Sequence, residues 1–366
     1  MLKKIEPAAG TDRLSGRPVP RLVGVSTAVP EKAYSQEEVL SLFSIENRQI
    51  RSVFVNGGIS QRHLSLNTLA DSGRIAPETQ SGLLEKHLRV GLDIGARALD
   101  DCLNSIGAQR SDVRHLCCVS STGFIIPGFS ALFISELGLP VDCSRVDIVG
   151  MGCNAGLNAL NAVSAWSSCH PGELAIVLCI EVCSALYVPD ESMTSAVVNS
   201  LFGDGAAAAA LMSLPHCHDA GPGLIDFRSH VIPETKDAMR LRWHDAHGKF
   251  SFELEPEVPY VVGANISKPV NALLRSAGLT TSDVSHWVIH SGGRKVIDAV
   301  RVNLGLTRHD VRHTLGVLKD HGNLSSGSFL FSYQRLISEG SVSAGDNGVM
   351  ITMGPGSTIE TALLSW

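Results

Sequence analysis

"LNSIGAQRSDVRHL" at residues 103–116 and "LRSAGLTTSDVSHW" at residues 274–287 are one phrase written twice, 171 residues apart and without a gap. Leu103, Ser105, Gly107, Ser111, Asp112, Val113 and His115 recur as Leu274, Ser276, Gly278, Ser282, Asp283, Val284 and His286. Each copy runs from a helix end, through a turn, into the start of a strand. Shared capping chemistry accounts for some of these identities. Seven in register argue for an internal duplication.

Around the two copies, helical and strand-like patterns alternate. "SQEEVLSLF" opens with Ser35 and Glu38 at capping-box spacing. "GLLEKHLRVGLDIGARALDDCLNSIG" has helical periodicity, whereas "RHLCCVSS", "ELAIVLCIEV" and "GAAAAALMSL" read as buried strands. "GDGAAAAALMS" at 203 further resembles "GDNGVMITMGP" at 345. The alternation predicts an α/β protein with a mobile arm over 1–19 and two similar halves, 20–215 and 216–366, related by a pseudo-twofold axis.

Composition narrows the function classes. With 366 residues, 44% of them hydrophobic, the chain can bury a large core. No run of eighteen apolar residues marks a membrane span, and the start has no apolar h-region of a secretory signal. The nine cysteines fall between Cys102 and Cys217, most of them inside apolar runs, with no C-x-x-C pair. That usage fits reduced core thiols in a cytoplasmic protein. A net charge of −6 argues against general nucleic-acid binding, though not against a small polyanion met by local Lys or Arg.

The chemistry enters at "DIVGMGCNAGLNALNAVSAW", residues 147–166. A strand-like run ends at Val149, glycines follow, and Cys153 opens a long helix of small residues. Advancing by 170 residues, one short of the repeat spacing, lands on "HGNLSS", which makes Gly322 the counterpart of Gly152 and Asn323 the counterpart of Cys153. His290 ends the repeated strand "HWVIH", at the sheet edge where α/β proteins carry chemistry. A thiol at a helix N-terminus meets free backbone N–H groups and the positive end of the helix dipole, and both favour thiolate. A nucleophile, an imidazole and an amide donor suit carbon–carbon bond formation through a thioester. Cys153 would hold the acyl chain, and His290 and Asn323 would bond the oxygen on which negative charge develops.

Other readings compete. Taken singly, Cys153 is a buried thiol, His290 a satisfied core histidine and Asn323 a helix N-cap. Gly150 to Ala155 also match the dinucleotide fingerprint G-x-G-x-x-A. That fingerprint needs an acid at the end of the next strand; Glu173 precedes its strand and Glu181 comes late. A hydrolase elbow fails because Met151 fills its first glycine position. "PHCHD" sets His216, Cys217 and His218 in a row, where adjacent residues do not share one tetrahedral ion, so no metal is expected.

At these residues the chain resembles type III polyketide synthases of the chalcone synthase superfamily. The motifs are "GMGCNAG", "LFGDGAA" (201–207), "HSGG" (290–293), "GNLSSGS" (322–328) and "GPGSTIE" (354–360), in order through both halves. The resemblance implies the thiolase-like five-layer αβαβα fold, built from two duplicated halves. It implies that Cys153 is acylated and that His290 and Asn323 form the decarboxylation and oxyanion site. Phe202 and Phe252 match the phenylalanines between CoA tunnel and cavity. Gly292 and Gly293 match backbone along the pantetheine arm, Gly354, Pro355 and Gly356 the loop shaping the cavity, and Ile126 a residue that reaches across a homodimer interface.

The implied substrate is malonyl-CoA, starter and extender alike, closed by an aldol step to an aromatic acyl-CoA. Neither organic cofactor nor metal is implied, and crotonase-type partners assist water loss in this subfamily. Other products of the family (alkylresorcinols, pyrones, tetrahydroxynaphthalene), a ketoacyl synthase III-like enzyme and a non-catalytic dinucleotide-binding protein are the alternatives. The chain departs from the plant members in three places. Near "IRSVFVNGGISQRH" only Arg51 and Arg62 remain of a basic run for the CoA phosphates, Met353 replaces a phenylalanine of the cavity loop, and "CIEVCSALYV" alters the cavity wall.

Overall fold

The computed structural model describes residues 18–67, 75, 78–188, 190, 192–214 and 220–366. The expected arm lies outside these except for Pro18 and Val19, and Val19 already belongs to the first strand. The seam between the halves and "PHCHD" fall outside them too. The first half runs β1 (Val19–Ala28), β2 (Ala33–Ser35), α1 (Gln36–Leu42), α2 (Arg48–Asn56), β3 (Gln61–His63), α3 (Gln80–Ser105), β4 (Val113–Ser120), α4 (Phe129–Leu137), β5 (Ser144–Val149), α5 (Ala155–Cys169), β6 (Leu174–Val182), α6 (Met193–Leu201) and β7 (Asp204–Leu214). The second runs β8 (Gly223–Val231), β9 (Met239–His244), β10 (Lys249–Leu254), α7 (Val258–Asn265), α8 (Ser267–Ser276), β11 (His286–Ile289), α9 (Arg294–Asn303), α10 (Arg312–His321), α11 (Ser328–Glu339), β12 (Asn347–Gly354) and β13 (Thr358–Ser365).

Nine strands form one sheet in the order β11-β12-β13-β8-β1-β7-β6-β4-β5, and β1 meets β8 at the single pair Arg21–Gly223. On each side of that join the pairing repeats. β1/β7 and β7/β6 are antiparallel and β6/β4 parallel. Likewise β8/β13 and β13/β12 are antiparallel and β12/β11 parallel. The duplication is therefore present in the topology, with β11 the counterpart of β4. By position β12 answers to β6, so the likeness of "GDNGVMITMGP" to "GDGAAAAALMS" pairs a strand with the neighbour of its true mate.

The repeated phrase has one local structure in both copies. Gly107 (φ 67°) and Gly278 (φ 70°) end their helices in the left-handed region. A one-turn 3-10 helix follows, Arg110–Asp112 and Thr281–Asp283, closed by Asp112 and Asp283 accepting the N–H of Gln109 and Thr280 at 2.8 Å.

Side chains alternate across the strands and split the core into layers. From β6, Ile176, Leu178 and Ile180 pack with Ile94, Leu99 and Leu103 of α3. Ala175, Val177 and Cys179 turn inward to Leu157, Leu160 and Val163 of α5. From β12, Val349 and Ile351 pack outward against Val270, Leu273 and Ile297, and Met350 packs inward near Phe329 and Leu330 of α11. Helices α5 and α11 thus lie between the two half-sheets, giving five layers. Gly156 permits that middle layer: a Cβ there would sit 2.2 Å from Ser326 O, at the start of the other central helix. Among the described residues no helix is long and apolar enough to cross a membrane.

Candidate active site

The N-termini of the two central helices converge on one place. After β5, Gly150 (φ 82°) and Gly152 (φ 75°) reverse the chain, and Cys153 sits in the 3-10 turn Gly152–Asn154 that runs into α5. The Gly152 N–H donates to Ser121 Oγ at 2.8 Å. The Gly354–Pro355–Gly356 loop braces this turn. A Cβ on Gly152 would lie 2.4 Å from Pro355 Cδ, and one on Gly354 2.3 Å from Asn154 Oδ1. Pro355 and Gly354 thus pack directly against the nucleophile's turn.

Gly322 (φ 73°) makes the equivalent turn in the second half. Asn323 N–H donates to Leu201 O at 2.9 Å, and Asn323 O accepts from Gly203 N–H at 3.0 Å, so the asparagine forms a parallel bridge with Phe202. Its Oδ1 accepts the Ser325 N–H at 2.8 Å, and its side chain also hydrogen-bonds the Cys153 thiol. His290 directly follows β11, its N–H bound to Ile351 O at 2.9 Å. Its Nδ1 shares a short hydrogen bond with Ser328 Oγ, which leaves Nε2 for a substrate. Ser291 Oγ donates to Gly322 O at 3.0 Å and ties the histidine's strand end to the asparagine's turn.

The ionisation state differs from the sequence expectation. Burial pushes the Cys153 thiol up to about 12; the Ser325 and Asn323 hydrogen bonds pull it down, and the Glu181 carboxylate pushes it further up. Burial pushes His290 down to about 3. Desolvation opposes both charged forms.

Sequence reasoning missed the carboxyl behind the thiol. Glu181 is fully buried in β6, whose residues are all buried. Its Oε1 accepts from Ser325 Oγ at 3.3 Å and from Ser326 Oγ, and its Oε2 accepts from Ser121 N–H at 3.0 Å. Ser325 Oγ in turn lies 3.7 Å from Cys153 Sγ. Burial raises Glu181 to about 7 against these hydrogen bonds, so it exchanges its proton near neutrality beside the nucleophile. A lone acid in an otherwise apolar strand was the available signal. Glu181 entered the sequence reading only as an ill-placed nucleotide ligand.

Two spaces meet at this site. A cavity of ≈ 30 Å³ is lined by Cys153, Thr122, Cys183, Phe202, Phe252 and Ser325, among others. A groove of ≈ 520 Å³ opens to the surface between α2, α6 and the segment Gly292–Val296. Val198 and Phe202 face the cavity while Val197, Ser200 and Leu201 line the groove, so the end of α6 is the partition. Phe202 and Phe252 meet edge to face there, centroids 5.6 Å apart. Gly292 and Gly293 line the groove.

Three sequence expectations change. Arg62 is fully buried, binding Gln36 Oε1, Tyr187 OH, Asn199 O and Phe202 O, so it grips no phosphate. Arg51 pairs with Glu37 at 2.7 Å, and the cations that line the groove are Arg294 and Lys295. Met353 belongs to a separate small cavity with Ile232, Met239 and Val258, whereas Cys183 and Leu186 of "CIEVCSALYV" do line the site. Ile126 is fully exposed at 101%. Among the described residues no cluster of His, Cys, Asp or Glu could hold a metal ion.

Comparison with known proteins covers both halves. The N-terminal domain of chalcone and stilbene synthases matches residues 15–215, and the C-terminal domain of the same family matches 225–365. The 3,5-dihydroxyphenylacetyl-CoA synthase of Streptomyces toyocaensis is 59% identical over 354 residues, 95% of this chain and 90% of that protein. Its namesake from Amycolatopsis balhimycina is 56% identical over 367 residues, 100% of this chain and 98% of that one. The crystal structure of 1,3,6,8-tetrahydroxynaphthalene synthase from Streptomyces coelicolor A3(2), 27% identical, superposes with a TM-score of 0.86 over 94% of this chain and 99% of its own.

Proposed function

The chain belongs to the chalcone and stilbene synthase family as a type III polyketide synthase, and from that premise we propose that it builds 3,5-dihydroxyphenylacetyl-CoA from malonyl-CoA alone. The contact of Cys153 with Asn323 and Ser325, in front of a partition leading to a long groove, carries the reading.

The steps follow from the groups present. Cys153 sulfur attacks the malonyl thioester; its proton passes to the departing CoA sulfur. An extender malonyl then loses CO2 as its C–C bond breaks, and the electron pair becomes an enolate. A Ser328 hydroxyl donating to Nδ1 puts the ring proton of His290 on Nε2, so Nε2–H and the Asn323 amide stabilise the enolate oxygen. The enolate carbon attacks the Cys153 thioester, and the chain returns to the cysteine for the next extension. Aldol closure and water loss need a group that gives and takes protons near pH 7, which Glu181 supplies through Ser325 and Ser121. No metal or organic cofactor enters these steps. Crotonase-type partners assist the water loss, in a cytoplasmic pathway.

The groove takes the CoA arm, with Gly292 and Gly293 beside the pantetheine and Arg294 and Lys295 meeting the phosphates. The Arg294 side chain reaches back toward Gly58, while Lys295 makes no ion pair among the described residues. A second copy of the chain covers the exposed edge at β5, where Val146 (44%) and Val149 (47%) are exposed, as are Phe124 and Ile126 after β4. Incubation with labelled malonyl-CoA and no other starter tests the reading. Label on Cys153 and an aromatic CoA ester of the expected mass are the supporting results; an unlabelled cysteine with no product overturns it.

A further inference from the structure

Ile289, the last residue of β11, stands immediately before His290. β11 is an edge strand whose sheet neighbour is β12. The His290 N–H turns toward that neighbour and bonds Ile351 O, so in a parallel ladder the N–H and C=O of Ile289 point to the open side. There the Ile289 carbonyl accepts two hydroxyls, Thr314 Oγ1 of α10 at 3.0 Å and Ser332 Oγ of α11 at 3.3 Å. Both side chains are completely buried. Ser332 Oγ also lies 3.4 Å from Ser328 O, the usual bond of a helical serine to the preceding turn, yet it sits no farther from the strand.

One donor satisfies a buried carbonyl. This carbonyl has two, and they come from the helices on either side of the Asn323 turn. α10 ends at His321, directly before Gly322 and Asn323, and α11 begins at Ser328, shortly after them. Ser328 in turn holds the His290 ring at Nδ1, and its oxygen accepts the Ser291 N–H at 3.4 Å. A hydroxyl has one hydrogen to give, and Ser328 Oγ has no further partner among the described residues. Giving that hydrogen to Nδ1 is the arrangement that leaves no buried hydrogen unmet. The Nε2 edge of the ring lies beside Gly292, where a Cβ would come within 3.2 Å of it, and Gly292 lines the groove. The place of Nε2 relative to the Asn323 amide therefore depends on how the end of β11 is fastened to α10 and α11.

We propose that Thr314 and Ser332 are positioning residues for His290: by sharing the Ile289 carbonyl they fasten the end of β11 to the two helices that flank Asn323, and so set the spacing of the two groups that bond the enolate oxygen. The inference rests on the polyketide reading, in which His290 and Asn323 act on one malonyl unit. Either hydroxyl alone still answers the carbonyl, so the effects of losing them are not additive.

Release of CO2 from malonyl-CoA reports on His290 and Asn323, and labelling of Cys153 reports on the thiol. Thr314→Val, which keeps the shape of the side chain, and Ser332→Ala should each lower kcat for CO2 release by no more than about threefold. Combined, they should lower it about a hundredfold, with KM and the Cys153 label retained. Thr314→Ser combined with Ser332→Ala removes more packing but keeps one hydroxyl, and should return kcat to that of Ser332→Ala. The side-chain 15N signals of His290, identified by their loss in His290→Gln, should hold the wild-type position in each single variant and move in the valine–alanine combination. Losses that merely multiply, equal loss of label and CO2 release, a serine combination as slow as the valine one, or an unmoved His290 signal overturns the proposal. If the wild-type protein neither takes label nor releases CO2, the polyketide reading falls instead, and the His290 signals still decide whether the two hydroxyls hold the ring.

Discussion

Gly152 and Gly322 hold the same left-handed φ, 75° and 73°, each one residue before a group of the site, Cys153 and Asn323. The two turns are filled differently. A Cβ on Gly322 would lie 2.5 Å from Leu201 O and 2.9 Å from Arg62 Cδ, at ψ −152°, a region reserved for glycine. Gly322→Ala should therefore push the Phe202–Asn323 bridge apart and lower stability by about 1–3 kcal/mol. Malonyl-CoA decarboxylation should fall at least tenfold. A thermal melt alongside a CO2-release assay checks both effects; a variant with wild-type decarboxylation would mean that Asn323 does not depend on this turn.

Glu181 makes a stability prediction whose sign is set by its raised pKa of about 7. The unfolded carboxyl titrates near 4.5, so between these values the folded protein holds a proton that the unfolded chain has lost. Its contribution is fully present below the unfolded value and lost as pH rises through 7. Glu181→Gln removes the buried charge, so it should raise stability at pH 8 by on the order of 3 kcal/mol relative to wild type and change little at pH 4. Aromatic-product formation should drop while Cys153 acylation survives. Denaturant melts at the two pH values measure the first effect, and product mass spectrometry the second.

These two cases mark what could be read from the sequence and what could not. The duplication, Cys153 and Asn323 were legible because a nearly constant repeat spacing set an amide opposite a thiol, with glycine before each, and His290 because it ends a repeated strand. The strand pairing was legible only in part: Gly-Asp at 203–204 and at 345–346 makes β7 and β12 look alike in sequence, yet sheet position mates β12 with β6. Ionisation was not legible. A helix start predicts thiolate, but the burial that raises Cys153 comes from residues distant in sequence, Phe202 and Phe252 among them. Glu181 hid for the same reason, since its partners lie 60 and 144 positions away.

The groove separates nucleotide recognition from chemistry. Among the described residues Arg294 is held by a 3.3 Å contact with Asp298, and Lys295 is exposed. Arg294→Glu with Lys295→Glu should raise KM for malonyl-CoA by about tenfold or more, since a charge-assisted hydrogen bond to a phosphate is worth on the order of 1 kcal/mol or more. The same pair should leave kcat/KM unchanged for a malonyl thioester of N-acetylcysteamine, which has no phosphate. Equal losses on both substrates would place the phosphates elsewhere.

Arg62 should matter through the gatekeeper and not through substrate. Its guanidinium binds the carbonyls of Asn199 and Phe202 and the Tyr187 hydroxyl at 2.6–2.7 Å, with the buried Asp204 as its nearby countercharge. Its stem also packs beneath Gly322, so one side chain supports both the gatekeeper and the turn before Asn323. Arg62→Met takes the guanidinium donors from Gln36 Oε1 and Asn199 O and the nearby countercharge from Asp204, and should cost about 3–5 kcal/mol. Arg62→Lys keeps the charge but loses the fork, which alone reaches Gln36 and the carbonyls together. The lysine variant should therefore fold, melt lower than wild type, and show a lower kcat with an unchanged KM for malonyl-CoA. A raised KM with unchanged kcat would instead return Arg62 to the role of a phosphate ligand, against its complete burial.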